Sequence, residues 1–435
     1  MMSANGPDHS EANSTPRIEQ RAGNRAIQIG QVFGNVALQI LSPKSIIIIL
    51  VALAVTGTVL VYAYQEAQKP ARMIGNFNIA VAQFGQITDQ GVVASAVTRQ
   101  LSKLLFDFLD SEYKATDFNL DVQVAHEKIG VITGDREAET LADDINADIV
   151  IYGTVFINGN QASLSPRFYV KGRQDTAELT GQHQLALPLQ FDVASLGFQD
   201  EVNIYLRYRA SILVGFTTGL AYMSANNLEA ASRYFQKAVD DSNKSDPFDG
   251  EEVLYLFSAE TARLQGNFSK AGKDLDAAIA LNSEYARAYI GRGNIYYNQA
   301  IRASFDSTLL NQALAEYQRA IAAKDQPEGA YIQDKANVSL GNVYVILAQQ
   351  TQEPALFAQA IDLYTQVVTK YESAKNERIQ QHAAIAYFGL GSAYERQAEY
   401  AKAQSAYRRC IELALDATLK DRAQEQLDIV NHVQH

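Results

Sequence analysis

Catalysis needs side chains that exchange protons, hold metals or attack carbon, and this 435-residue chain has few of them in useful arrangements. Its six histidines (His9, His126, His183, His382, His432 and His435) are scattered, and none is read as part of a metal-ligand set. The one cysteine, Cys410, excludes an internal disulfide framework. It falls at a small-residue position of a helical pattern, where core packing is expected. Asp143-Asp144 and Glu251-Glu252 pair acids, but adjacent acids on helices are expected as solvated faces. No GxxxxGK(S/T), GxGxxG, GxSxG or HExxH motif occurs. No catalytic residue, cofactor site or metal site is expected, and the chain reads as a non-enzyme.

A different chemistry is written near the amino terminus: self-templating through backbone and amide ladders. The run GNRAIQIGQVFGNVALQI has no charge between Arg25 and Lys44 and no proline before Pro43. Reflected about the Ile29–Gly30 bond, Gln28 matches Gln31, Ile27 matches Val32 and Asn24 matches Asn35. Such a segment can stack in register, with Gln and Asn ladders, dry β-branched interfaces and a turn at glycine. Its tetrad IQIG resembles the core of the receptor-interacting-protein homotypic interaction motif (RHIM). The flanking pseudo-palindrome resembles fungal and bacterial amyloid signalling motifs. The resemblance implies that residues 26–40 within a disordered 1–44 tail template the same fold in an effector bearing a like segment. A second reading stays open. Ile29, Val32, Phe33, Val36 and Ile40 also share one helical face, as in a helix lying on membrane lipid, although Gly30 and Gly34 each cost a helix interior roughly 1 kcal/mol.

The segment after the tail, 45–64, is uncharged and matches the ~20 residues of a bilayer-spanning helix. It reads as a single transmembrane helix, followed by a linker over 65–76. The expected location is a bacterial inner membrane, with the tail cytoplasmic and the carboxy-terminal domains extracytoplasmic.

Beyond the linker, periodicity changes twice. Phe77 to Gly85 alternates as a buried strand. Val92, Val93, Val97, Leu101, Leu104, Leu105 and Phe108 recur at helical spacing. Strands are expected over Leu120–His126 and Ile149–Ile157, with a helix opened by Thr133-Gly-Asp-Arg between them. Asn158-Gly-Asn marks a hairpin turn into ASLSPRFYV, and HQLALPLQF reads as one further strand. This pattern predicts a small α/β domain, a mixed sheet with two helices, over 77–205. IAVAQFG, the helix after it and ADIVIYGTV together resemble the TolB amino-terminal-like domain. That resemblance implies a non-catalytic contact module.

From about Arg209 a template of small and aromatic residues repeats. It runs Gly219, Tyr222, Ala231, Phe235, Ala238, and returns as Ala259, Ala262, Ala271, Leu275, Ala278. Gly293, Tyr296, Ala313, Tyr317 and Ala320 form a third copy, and Gly341, Tyr344, Ala360, Tyr364 and Val367 a fourth. The fifth is Gly391, Tyr394, Ala403, Tyr407 and Cys410. Fixed offsets of this kind resemble the tetratricopeptide repeat, a helix–turn–helix unit that buries its apolar face only by stacking. An all-α solenoid is expected over 206–416, with a capping helix over 417–435. ASFDSTL and TQEPALF read as insertions on loops of the third and fourth copies. Phe216, Leu220, Arg287, Asn294, Lys335 and Asn342 are the candidate peptide groove, where Asn294 and Asn342 hold equivalent positions.

The net charge of −12 excludes a general nucleic-acid binder. The chain therefore reads as a membrane-anchored interaction and signalling protein. Protein partners would lie in the repeats, with an effector at the IQIG tail. The alternative is a scaffold for envelope or secretion-complex assembly without amyloid signalling.

Overall fold

The computed structural model describes residues 69–115, 120–171, 179, 181–184, 189–192, 212–243, 250–326, 331–374 and 377–433. Every element below belongs to one compact unit, Pro70–His435. The sheet region runs β1 (Phe77–Val81), β2 (Gly85–Thr88), β3 (Gly91–Val93), α1 (Ala96–Ala115), β4 (Val122–Ala125) and α2 (Asp135–Asp144). It continues with β5 (Ile149–Asn158), β6 (Gln161–Val170), β7 (Gly181–Gln184) and β8 (Leu189–Asp192).

The spine of this mixed sheet is the β5–β6 hairpin, paired from Ile149↔Val170 to Asn158↔Gln161. Its two-residue loop opens on Gly159 at φ 60°, the left-handed position that such hairpins need. β1 runs parallel to the first half of β5 and β2 to its second half. On the far side, β7 and β8 likewise take separate halves of β6. HQLALPLQF is thus two strands, because β6 is long enough to pair both. Phe77 to Gly85 is also not one strand, since pairing with β5 stops at Val81 and resumes at Gly85. α1 starts at Ala96 because Gly91, at φ 111°, turns the chain and lets Val92 and Val93 pair back on β2.

The helical region comprises α3 (212–224), α4 (Leu228–Ser242), α5 (Glu251–Leu264), α6 (Phe268–Leu281) and α7 (Ala286–Arg302). Then come α8 (Ser307–Ala322), α9 (Ile332–Thr351), α10 (Pro354–Tyr371), α11 (Glu377–Arg396), α12 (Tyr400–Leu413) and α13 (Ala417–Val433). They stack as antiparallel hairpins in a tetratricopeptide-type solenoid, with α13 packed after the last hairpin.

Each hairpin turns through left-handed backbone just before the second helix: Asn226, Gly266, the pair Ser304 and Phe305, Gln352 and Ala398, with φ from 53° to 76°. In three of them the next N–H donates five residues back, Asn227 to Tyr222, Asn267 to Ala262 and Glu399 to Tyr394. That is the helix-ending geometry in which a left-handed residue satisfies late carbonyls. Asn227, Asn267 and Asp306 then cap the second helix, accepting from the N–H three residues on. ASFDSTL and TQEPALF contain the turns, 303–306 and 352–353, and the extra length lies in the helices before them. α7 has 17 residues and α9 has 20, against 14 in α5, and their hairpins still close tightly.

Small residues set the distance between paired helices. A Cβ on Gly293 would meet the Tyr317 ring at 2.5 Å, and one on Gly341 the Tyr364 ring at 2.7 Å. The tyrosine hydroxyls end on polar groups of the facing helix: Tyr317 donates to Asn294 Oδ1 at 2.8 Å, Tyr364 to Asn342 Oδ1 at 2.7 Å and Tyr407 to Glu395 Oε2 at 2.7 Å.

The expected fold class began with a transmembrane helix, and the expected location was a bacterial inner membrane. Both are corrected. Among the described residues no helix is long and apolar enough to cross a membrane. The longest, α1, α9 and α11, have 20 residues each; α1 and α11 are amphipathic, and α9 includes the buried Asp334 among its packed residues. Segment 45–64 and the motif at 26–40 lie outside the described residues.

Replacing Gly293 by Ala is expected to destabilise the protein by about 1–3 kcal/mol through overpacking against Tyr317. Gly272→Ala, in α6 with nothing within 4 Å, is expected to stabilise by up to about 1 kcal/mol. Urea midpoints of the two variants check the contrast.

Candidate functional site

The sheet and the solenoid share one core. Phe77, Ile79, Ile149, Ile151 and Phe168 from the sheet cluster with Phe216, Phe235 and Phe257 from α3, α4 and α5. Across this seam Tyr113 of α1 donates to Thr217 Oγ1 at 2.5 Å, and that hydroxyl donates to Leu213 O at 2.7 Å. Burial pushes the Tyr113 hydroxyl up to about 12. Phe216 and Leu220, read from the sequence as groove residues, are therefore core residues, 0% and 6% exposed.

Arg287, a third groove candidate, is 0% exposed. Its Nη1 lies 2.6 Å from His183 Nε2, and its Nη2 donates to Gln182 O at 2.9 Å, so α7 is tied to β7. The His183 ring stacks on Phe168 with centroids 5.3 Å apart and meets Phe257 edge-on at 5.2 Å. Burial, and then the adjacent guanidinium, hold His183 well below the usual histidine range. The same Nε2 lies 2.8 Å from Leu179 O, so it faces a carbonyl as well as the guanidinium, and burial beside that cation keeps the ring neutral. Removing one side of such a buried arrangement costs about 3–5 kcal/mol.

Asn294 and Asn342 do occupy equivalent places, but their side-chain oxygens already accept from Tyr317 and Tyr364. They hold hairpins together. Lys335 is half-buried on α9, close enough to His382 to help depress it. The six candidates are not brought to one surface.

A site forms instead where the seam opens. Beside Arg287 is a cleft of about 800 Å³, walled by β6 and β7 residues Arg167, Gln182 and Gln184 on one side. Gly250 to Val253 at the start of α5, Leu281, Asn282 and Tyr285 around the α6–α7 turn, and Lys324 to Gln326 after α8 form the other. Asn282 Nδ2 donates to Asp325 Oδ2 at 2.9 Å and to Glu252 Oε1 at 3.4 Å. Burial raises both carboxyls above the ordinary range, and the Asn282 amide partly opposes it. Asp325 N donates to Glu284 O at 3.1 Å, locking the two inter-repeat turns together. Gln326 Nε2 covers the last carbonyls of α8, those of Ala320, Ile321 and Ala323.

Glu251-Glu252 is thus not a solvated face. Gly250, at φ 92°, starts α5, and Glu251 is buried and accepts a hydrogen bond from the Ser242 hydroxyl. Asn282, Tyr285 and Asp325 carried only turn signals in sequence, and nothing local says that these turns meet each other and β7. Among the described residues, no group of three or more His, Cys, Asp or Glu could hold a metal ion.

The tetratricopeptide repeat family matches residues 384–416, spanning most of α11 and all of α12. No curated protein matches the chain. Among solved structures, the chain is similar to a thermophilic TPR protein of Thermus thermophilus, at 18% identity and a TM-score of 0.35, over 50% of this chain and 98% of that one. It is also similar to yeast Tom70, at 16% identity and a TM-score of 0.39, over 55% and 44% of the respective chains. PilF of Pseudomonas aeruginosa matches at 15% identity and a TM-score of 0.35, over 52% and 90%.

The junction is expected to weaken in mild acid. The unfolded chain takes up a proton at His183 near pH 6.5, whereas the folded chain does not, so stability falls as pH drops below that value. From pH 7.5 to 5.5 the loss is about 1.4 kcal/mol for this group. His382, pushed down to about 3 by burial and Lys335, adds in the same direction. Glu252 and Asp325, with raised values, act in the opposite sense as pH falls. Urea unfolding of the wild type and of His183→Gln at both pH values isolates the His183 share, because the other groups are common to both. Equal slopes would refute it.

Proposed function

We propose that this chain is a non-catalytic scaffold that holds a segment of a partner protein in the cleft between its sheet and its repeats. The observation that carries the reading is the cleft itself, a concave space of about 800 Å³ walled by both parts of one continuous core. Tetratricopeptide arrays present concave surfaces of this kind to polypeptides, and the sheet, read as the contact module its TolB-like pattern implies, supplies the opposite wall. The acidic balance of the chain suits a protein partner better than a nucleic acid. A photo-crosslinking residue at Leu281, which is 49% exposed and lines the cleft, is expected to form a polypeptide adduct in cells. The same residue at Lys103, on α1, is expected to form none. Adducts at both positions, or at neither, would sink the reading.

The tail adds the output. In this reading the run around Gln28, Ile29 and Gly30 pairs with a like segment of an effector, supported by its uncharged, amide-rich pseudo-palindrome. A peptide of residues 20–42 at neutral pH is expected to form fibres with a spacing of about 4.7 Å along the axis, and Gln28→Asp to prevent them. A soluble helical peptide in both cases would remove this half of the proposal and leave the scaffold.

A further inference from the structure

The polar groups of the cleft specify what kind of segment it takes. Tyr285 is 3% exposed and lines the cleft, and its hydroxyl has no hydrogen-bond partner among the described residues. A hydroxyl withdrawn from water is costly unless it meets an acceptor. Glu252 and Asp325 reach the cleft from the start of α5 and the end of α8, and both lean on one donor, the Asn282 amide. Backbone N–H groups at the start of α5 also support Glu252, while Asp325 has Asn282 as its single side-chain donor among the described residues. Two carboxylates around one amide nitrogen leave acceptor positions over.

The charges facing them decide the sign of the missing group. Arg287 is committed, with Nη1 against His183 and Nη2 on Gln182 O. Glu251 is turned to Ser242, and Lys324 and Arg167, which also line the cleft, are exposed to water. An acidic side chain entering between Glu252 and Asp325 would face two carboxylates, with the Tyr285 hydroxyl as the donor beside them. A cation would bring the donors that Asn282 cannot supply, and burial, which holds both carboxyls above their ordinary range, would then be offset by charge pairing.

We propose that the cleft takes a peptide segment bearing a lysine or arginine, its cationic group between Glu252 and Asp325 and a backbone carbonyl on the Tyr285 hydroxyl. This rests on the reading of the cleft as the seat of a partner segment, and adds the chemistry that recognises it. The groups come from three inter-repeat positions, so the site exists only in the stacked array.

The test uses the full chain and three small probes: N-acetylarginine methylamide, the neutral citrulline analogue and the glutamate analogue. Calorimetry or saturation-transfer NMR is expected to show the arginine probe binding on the order of tenfold more tightly than citrulline, the worth of a charge-assisted contact. The glutamate probe is expected not to bind. Glu252→Gln and Asp325→Asn are expected to abolish that preference while leaving the melting temperature unchanged or higher, since each removes a carboxylate that burial disfavours. Tyr285→Phe is expected to weaken the arginine and citrulline probes alike. Equal binding of arginine and citrulline, or an arginine preference that survives in the Glu252→Gln/Asp325→Asn double variant, overturns the proposal. A polypeptide adduct at Leu281 without an arginine preference would mean that the cleft holds a partner of other chemistry. Absence of both would remove the scaffold reading as well.

Discussion

A guanidinium taken wholly out of water carries a desolvation cost of several kcal/mol unless acceptors surround it. Arg287 meets that requirement with groups that bear no formal charge, the neutral ring of His183 and the carbonyl of Gln182. Both stand on β7, which is paired to β6, which is paired along its whole length to β5. The sheet is therefore held to the third repeat hairpin through an unbroken series of hydrogen bonds. The position of the cleft wall follows from that tie, because β7 cannot shift without unpairing from β6 or exposing Arg287.

The other wall depends on how the repeats stack. Glycines opposite Tyr317, Tyr364 and Tyr407 let paired helices approach until the rings lie on backbone. The tyrosine hydroxyls then bind the neighbouring helix, which fixes rotation as well as distance. Stacking at a set angle brings the turn at Asn282–Tyr285 beside Asp325, where a backbone bridge joins them. The two carboxylates and the unpaired hydroxyl are consequences of this register. The same residues on isolated hairpins would be separately solvated.

Much of the architecture was legible because it is local. Small and aromatic residues at fixed offsets can satisfy one another only as paired helices, and Asn158-Gly-Asn between alternating runs can close only as a hairpin. Other features were misread for physical reasons. Five of the six left-handed residues in these turns are not glycine, so the hairpin turns carried no uniform signal. Phe216 and Leu220 have the pattern of a groove-facing stripe, but a sheet covers them. Asn294 and Asn342 were rightly paired with each other by position, yet the tyrosines of their own hairpins occupy them.

By itself, then, the sequence determined where strand-like and helical periodicity lie, that the helices repeat, and that the two kinds of segment follow one another, but not where pairing divides Phe77 to Gly85 or HQLALPLQF into two strands. These properties come from side-chain periodicity over a few residues. Tertiary structure alone decided that Arg287 is a buried tie and that Glu252, Asn282, Tyr285 and Asp325 share one cleft. Those facts rest on contacts such as Arg287 with His183, 104 residues apart. No local pattern encodes such a contact, because desolvation acts on whatever the complete fold brings together.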